Sequence, residues 1–137
     1  MAGRIITAVA LLAATVWMLT AGAVQASPTD VVKVVFERSG SGWRVSVTLR
    51  HADSGWKHYA NLWVVETLGG KELGRRVLYH PHENEQPFTR SQTVKIPAGI
   101  SKVRIRAGDN LAKGVQGQSN TVIVNLAKAS GNRFEVR

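Results

Sequence analysis

The sequence predicts an all-β protein, an immunoglobulin-like antiparallel β-sandwich of about seven strands that follows an N-terminal signal peptide. Three observations support this fold class. Apolar and polar residues alternate over much of the chain, short apolar segments are separated by turns rich in glycine and proline, and no segment after residue 26 has helical periodicity. About seven short strands spaced in this way are typical of a two-sheet sandwich.

The first 26 residues have the three parts of a secretory signal peptide. Arg4 supplies a positive charge near the start, residues 5–19 are uncharged and almost wholly apolar, and the small residues Val24 and Ala26 precede Ser27. The apolar segment has about fifteen residues, fewer than the roughly 20 that a membrane-spanning helix needs. We therefore predict an exported protein, periplasmic or secreted, with no membrane span in the mature chain.

Residues 27–126 are predicted to form a single sandwich domain. Alternation is clearest at 43–49 and 103–107, where every second residue is apolar. Residues 59–67 are apolar at both parities, which predicts a central strand with Trp63 in the core. The seven predicted strands are 31–36, 43–49, 59–67, 72–79, 88–96, 103–107 and 121–126. Residues 127–137 are mostly polar, and we treat them as a C-terminal tail that is either loose or partly docked.

Composition excludes several classes of function. The chain has no cysteine, which argues against a disulfide framework, a thiolate metal site, a thiol nucleophile and a lipid-anchored N-terminus. The formal net charge is +9 at pH 7, but the basic residues are spread over several strands without interleaved aromatics. Nucleic acid is therefore not an expected partner. The charge favours solubility and attraction to anionic envelope polymers or acidic proteins.

Four histidines are the most informative residues of the chain. If the chain reverses direction at every connection between strands, His51 and His58 share a loop at the same end of the sandwich as His80 and His82. We call this end the upper rim. His80 and His82 point the same way in an extended segment, and Pro81 between them stiffens the pair. Neutral imidazole binds divalent transition ions, so the four histidines are candidate ligands for Cu, Zn, Ni or Fe. The alternative is that they cap strands or bond backbone carbonyls.

Polar and aromatic residues beside the histidines are candidate supporting groups. Carboxylates can complete the shell around an ion or orient an imidazole from behind. Trp56 stands at the mouth of the predicted site, where it either walls a pocket or covers the end of the sandwich. Arg90 either pairs with a nearby carboxylate or binds an anion, and Phe88 is expected to close the rim of the core. The supporting residues are Asp53, Glu83, Glu85, Asp109, Trp56 and Arg90.

Signature motifs of several enzyme classes are missing from the sequence. It has no Gly-x-Ser-x-Gly segment, no phosphate-binding glycine-rich loop before a helix, and no His-Glu-x-x-His segment. No catalytic residue and no oligomeric state is predicted. Three functions remain, in order of preference: binding of a transition metal through the rim histidines, an interaction module for an envelope protein or polymer without metal, and a small metal-dependent redox enzyme.

Two segments carry a resemblance to a family of small secreted bacterial proteins of unassigned function. These are residues 51–63 (HADSGWKHYANLW) and 78–90 (LYHPHENEQPFTR). The resemblance extends from about Val45 to Leu126. It implies a periplasmic β-sandwich and leaves the chemistry open.

A fainter likeness is to superoxide reductase, an immunoglobulin-like iron protein. In that family a His-Pro-Met segment precedes a His-Tyr pair and a tryptophan. His51, the pair His58-Tyr59 and Trp63 stand in a similar order in this chain. The chain lacks Pro-Met after His51 and has no cysteine to serve as that family's axial ligand. These departures argue against superoxide reduction of that type, and what the resemblance still implies is a histidine site on the rim of the sandwich.

Overall fold

The computed structural model describes residues 28–112, 114–115 and 119–137, and the predicted signal peptide lies outside the described residues. The described chain contains β-strands and no helix. It accordingly contains no helix with the length and hydrophobicity to cross a membrane. The strands are β1 (Thr29–Ser39), β2 (Gly42–Arg50), β3 (Ala60–Thr67), β4 (Glu72–Val77), β5 (Phe88–Val94), β6 (Lys102–Asp109), β7 (Ser119–Asn120), β8 (Val122–Asn125), β9 (Ser130–Gly131) and β10 (Phe134–Val136).

The strands form two sheets with the core between them. One sheet has the order β5-β2-β1-β10-β9, with β7 pairing the start of β1, and the other has the order β4-β3-β6-β8. Neighbouring strands are antiparallel except where β1 pairs with β7 and β10. This arrangement confirms the predicted all-β, immunoglobulin-like sandwich. All seven predicted strands are present, with ends that differ by a few residues.

Among the first six strands, three connections differ from the simple hairpins assumed from the sequence. Here the chain crosses from one sheet to the other after β2, after β4 and after β5. Crossing is required because the apolar face of each sheet is buried only when the other sheet covers it. Each crossing still reverses the strand direction. The loops that contain residues 51–59 and 78–87 therefore meet at the upper rim, where the His51 amide donates a hydrogen bond to the Gln86 side chain.

Alternation decides which side chains enter the core. In β2, Trp43, Val45, Val47 and Leu49 are buried, whereas the arginine between the first two is exposed. Trp63 in the central strand β3 is 0% exposed, which confirms its predicted place in the core. Burial of a large apolar side chain contributes about 1.5–3 kcal/mol. The two sheets therefore form a rigid support for the rim.

The last eleven residues include two short strands rather than a segment without secondary structure. β10 pairs in parallel with β1, so that Phe134 lies opposite Val34. Phe134 is only 8% exposed and packs into the core, and Val136 packs against it in part. The Arg133 guanidinium donates hydrogen bonds to backbone carbonyls of β1 and of the segment before β8. The segment that the sequence marked as a polar tail thus adds to the sheet.

Candidate metal centre

The loop between β2 and β3 folds back on itself and brings two histidines together. The Asp53 amide donates to the His51 carbonyl over 2.9 Å, and the His58 amide donates to the Gly55 carbonyl over 3.1 Å. Gly55 has a φ of 113°, a conformation that glycine adopts readily and other residues rarely do. The rings of His51 and His58 consequently lie edge to face, with centroids 4.7 Å apart and planes at 86°.

Asp109, the last residue of β6, presents one carboxylate oxygen to both rings. Its Oδ1 accepts hydrogen bonds from the amides of Leu111 and Ala112, at 3.0 and 2.8 Å. Its Oδ2 lies 3.1 Å from Nε2 of His58 and 3.3 Å from Nε2 of His51. Because Oδ1 is held by the backbone, Oδ2 has a defined position between the two imidazoles.

Asp53 lies behind His51 and determines how that ring is oriented. Its side chain is 0% exposed, and its Oδ1 lies 2.6 Å from Nδ1 of His51. The same carboxylate accepts hydrogen bonds from the amides of Ala60 and His82, at 3.0 and 2.7 Å. With Nδ1–H donating to Asp53, a neutral His51 carries its lone pair on Nε2. A carboxylate behind a histidine in this way is the usual outer partner of a metal-binding imidazole.

The Nε2 atom of His51 faces a group that cannot satisfy its lone pair. His51 is 2% exposed, and its Nε2 makes no hydrogen bond although Oδ2 of Asp109 is 3.3 Å away. Two acceptor atoms that face each other in a buried site repel unless a proton or a metal ion lies between them. The arrangement therefore needs either a proton or a metal ion between these two atoms.

The spacing of the three groups fits a first-row divalent ion. One ligand atom from each of His51, His58 and Asp109 lies within 4.8 Å of the other two. In a tetrahedral site with bonds of about 2.0–2.1 Å, neighbouring ligand atoms lie about 3.3 Å apart. The contacts of 3.1 and 3.3 Å at Oδ2 are close to that value.

The protonation state of Asp109 also suits ligation. Burial acts to raise the pKa of this carboxyl group, but a hydrogen bond from His58, the Ala112 amide and the charges of His58 and His51 outweigh it. The pKa of Asp109 therefore lies below its usual value. A carboxyl group must be ionised to bind a metal, and Asp109 is ionised at neutral pH.

His80 and His82 lie outside this cluster. Their rings are neighbours, with centroids 4.5 Å apart, which agrees with two residues that point the same way in an extended segment. His80 is exposed, and its Nδ1 lies 3.1 Å from the carbonyl of Pro81. His82 is 5% exposed and stacks on Phe88, with ring centroids 3.9 Å apart. Within the described residues, the predicted set of four histidines thus separates into two pairs.

His82 is buried without a hydrogen bond to either ring nitrogen. Burial lowers its pKa most, followed by the nearby charges of Arg90 and His80. Its ring is therefore neutral at pH 7 and packs as an aromatic plate over Phe88, which is 1% exposed and closes the rim of the core as expected. His82 remains connected to the other pair, because its amide donates to Asp53.

The remaining predicted supporting residues lie further from the cluster. Arg90 pairs with Glu85 over 3.1 Å, one of the pairings that the sequence allowed. This bond lowers the pKa of Glu85. Glu83 is exposed. Trp56 is 68% exposed and packs edge to face on Tyr59, with ring centroids 5.8 Å apart.

Two amide side chains that the sequence analysis did not single out hold the rim loops in place. Gln86 accepts a hydrogen bond from the His51 amide and donates one to the His82 carbonyl. Asn110 accepts one from the Tyr59 amide and donates to the carbonyls of the two residues before His58. Asparagine is common where loops begin, so its position directly after β6 was the available signal. For Gln86 no local pattern predicts the partners, which come from two separate loops.

Fold and site together define an all-β sandwich protein with a buried histidine–aspartate cluster at one rim. The chain is similar to a protein of Halomicrobium mukohataei described as "Putative lipoprotein", with 44% identity over 94 residues. The matched segment covers 68% of this chain and 46% of that protein, so the chain spans less than half the length of this relative. No protein-family model matches the chain, and no solved structure is significantly similar to it.

Proposed function

We propose that this protein is an exported β-sandwich that binds one divalent transition-metal ion through His51, His58 and one oxygen of Asp109. The observation that carries the proposal is the buried Nε2 of His51, which has no hydrogen bond and faces the oxygen that His58 also contacts. Two imidazoles and one carboxylate suit Zn(II), Fe(II), Cu(II) and Ni(II).

Each side chain has a defined task in binding. Asp53 keeps the proton of His51 on Nδ1, so that Nε2 is available without deprotonation. His58 releases the Nε2 proton that it shares with Asp109, and Oδ2 of Asp109 supplies the negative charge. Protons compete with the ion for both rings. Affinity is therefore expected to fall as the solution becomes more acidic.

Export to the periplasm or beyond forms part of the proposal. Residues 1–26 have the sequence pattern of a signal peptide, and the relative from Halomicrobium mukohataei carries the word lipoprotein in its description. From that word we take only the export of this chain. Lipid attachment is suggested by the description of the relative alone. This sequence contains no cysteine.

Isothermal titration of the protein with Zn(II), Ni(II) and Cu(II) tests the metal site. In Asp109→Asn, the remaining oxygen can still accept from the Leu111 and Ala112 amides, while an amide nitrogen replaces the ligating oxygen. We expect affinity to fall by more than about 100-fold, because the loss of an outer partner alone typically costs 10–100-fold. His80→Gln is the matched control and should bind as the wild type does. Equal affinity in all three proteins would refute the site.

A second candidate function is docking of an envelope protein or polymer at the upper rim. Trp56 and Tyr79 are 68% and 75% exposed, and both lie in segments adjacent to this rim. Exposed aromatic side chains of this kind are enriched at protein interfaces. A partner that is retained in the presence of a chelator, and lost in Trp56→Ser with Tyr79→Ser, would support docking. If the partner is retained only when the metal is bound, the partner contacts the ion and not the exposed aromatic side chains.

A further inference from the structure

Among the histidine and carboxylate side chains of the described residues, three can supply ligands to the proposed ion. Within the described residues, the group around Asp109 contains His51 and His58 and no other histidine or carboxylate. The residues outside the described part, 1–27, 113 and 116–118, contain no histidine, cysteine, aspartate or glutamate in their sequence. Every strong ligand of the chain therefore belongs to the part that the structure describes.

The nearest additional carboxylate, Asp53, is already engaged on both of its oxygens. Oδ1 contacts Nδ1 of His51 and accepts from the Ala60 amide, and Oδ2 accepts from the His82 amide. It therefore serves as an outer partner of His51. A first-row divalent ion needs at least four ligands, and sites with three protein ligands leave a position for water or another small molecule.

Access to this position is one-sided. The side chains of His51 and Asp109 are 0% and 3% exposed, whereas that of His58 is 16% exposed. Solvent therefore reaches the cluster along His58. The backbone there is held by Asn110, which donates to the carbonyls of Trp56 and Lys57, so the opening has a defined shape.

The charge at the opening favours an anion. A divalent ion with two neutral imidazoles and one carboxylate has a net charge of +1, and a bound ion is usually the largest local charge in its site. The second carboxylate, Asp53, contacts the opposite nitrogen of the buried His51 ring and so lies on the far side from the opening. The whole chain is also positive, with a formal net charge of +9.

We propose, resting on the metal site proposed above, that this centre is an open three-ligand site that takes a small monodentate anion on the His58 side in exchange for water. The ion is thus held for reversible ligand binding, in contrast to the closed four-ligand shell of a purely structural metal. The exchange changes no oxidation state. Water leaves, the anion occupies the vacated position, and all three protein ligands remain.

Visible spectroscopy of the Co(II)-loaded protein tests the proposal, with sodium azide as the probe anion. Co(II) reports its coordination through its visible absorption bands, and we expect these bands to shift with azide and to saturate as a single site. His80→Gln is the control and should show the same shift. Dialysis after the titration should return the original spectrum with the Co(II) still bound.

The contrary outcomes separate the two proposals. Co(II) that binds tightly but whose bands do not respond to azide would indicate a closed shell, which overturns the open site and leaves the metal site intact. Release of Co(II) by azide would also overturn it, because the anion would then be removing the ion. Failure of the wild type to bind Co(II), Zn(II), Ni(II) or Cu(II) would overturn both.

Discussion

The two histidine pairs of the upper rim differ in what lies opposite their ring nitrogens. We call His51 and His58 the buried pair and His80 and His82 the His-Pro-His pair. The rings are equally close in both, with centroids 4.7 and 4.5 Å apart. The buried pair directs nitrogens at the carboxylate of Asp109, whereas the His-Pro-His pair meets the Pro81 carbonyl on one side and the Phe88 ring on the other.

This difference shows that proximity of imidazoles does not by itself make a metal site. The lone pairs must converge on one point, and a negative charge must offset that of the ion. Asp109 provides the charge for the buried pair and is held by two backbone amides. The carboxylate near His82 is Asp53, whose Oδ2 lies 3.9 Å from Nδ1 and accepts from the His82 amide, so the ring nitrogens make no hydrogen bond.

The largest effect on stability is expected from Asp53→Asn, because Asp53 contacts both pairs. The substitution removes the charge opposite Nδ1 of His51 and weakens the bond from the His82 amide. We expect the free energy of unfolding to fall by about 1.5–3 kcal/mol, as for a hydrogen bond to a charged group. Metal affinity should fall by about 10–100-fold. Urea unfolding and metal titration measure the two effects, with Glu83→Gln as an exposed control on the same rim. Lower stability with unchanged metal affinity would contradict an orienting role.

A smaller effect concerns the pH dependence of the His-Pro-His pair. Because burial, Arg90 and His80 lower the pKa of His82 in the folded state, the unfolded chain takes up this proton first. The free energy of unfolding should therefore decrease as the pH falls from roughly 6.5 to the lowered pKa. Below that pKa the contribution is constant. Asp109 acts in a separate window, since its stabilising effect is lost only as the pH falls below 3.8 and through its own lowered pKa.

His82→Phe isolates this contribution. The new ring can stack on Phe88, and no hydrogen bond of the imidazole is lost because neither of its nitrogens makes one. Measured by chemical denaturation with a chelator present, the variant should lose less stability than the wild type between about pH 6.5 and pH 5. Identical slopes for the two proteins would show that His82 does not titrate differently on unfolding.

The smallest effect is expected from His80→Ala. His80 is exposed and contacts the carbonyl of its own neighbour, so the free energy of unfolding should change by no more than about 0.5 kcal/mol. Metal affinity should be that of the wild type, whereas His58→Ala should lose most of it. A loss in His80→Ala as large as that in His58→Ala would mean that all four histidines act as one site.

Alternation along the strands was enough to predict most of the fold. The period of two in β2 and β6 identified the side chains that are buried, and the apolar run of β3 identified the central strand with Trp63. The crossovers were not predictable in this way, because a hairpin and a crossover both reverse the chain direction. The strands β9 and β10 were missed because the segment that contains them is mostly polar. β10 pairs with β1 and β9 pairs with β10 through backbone bonds, and Phe134 packs into the core.

The candidate site was predictable only in part. The turn signals placed His51 and His58 at one rim together with Asp109, but Asp109 was expected as a supporting group and instead lies in one three-residue group with the two histidines. Sequence spacing favoured His80 and His82 equally with the first pair. Their exclusion from the group depends on how the two loops are held. Gln86, for example, is hydrogen-bonded to the His51 amide in one loop and to the His82 carbonyl in the other.

By itself, the sequence determined the class of fold, the buried face of each main strand and the rim at which the histidines gather. These features follow from local periodicity and from where the chain turns, which are properties of neighbouring residues. The tertiary structure alone decided which histidines share the candidate site, and which carboxylate lies in front of a ring or behind it. These positions differ by only a few ångströms between the rim loops. The packing of the two sheets sets how the loops lie relative to one another.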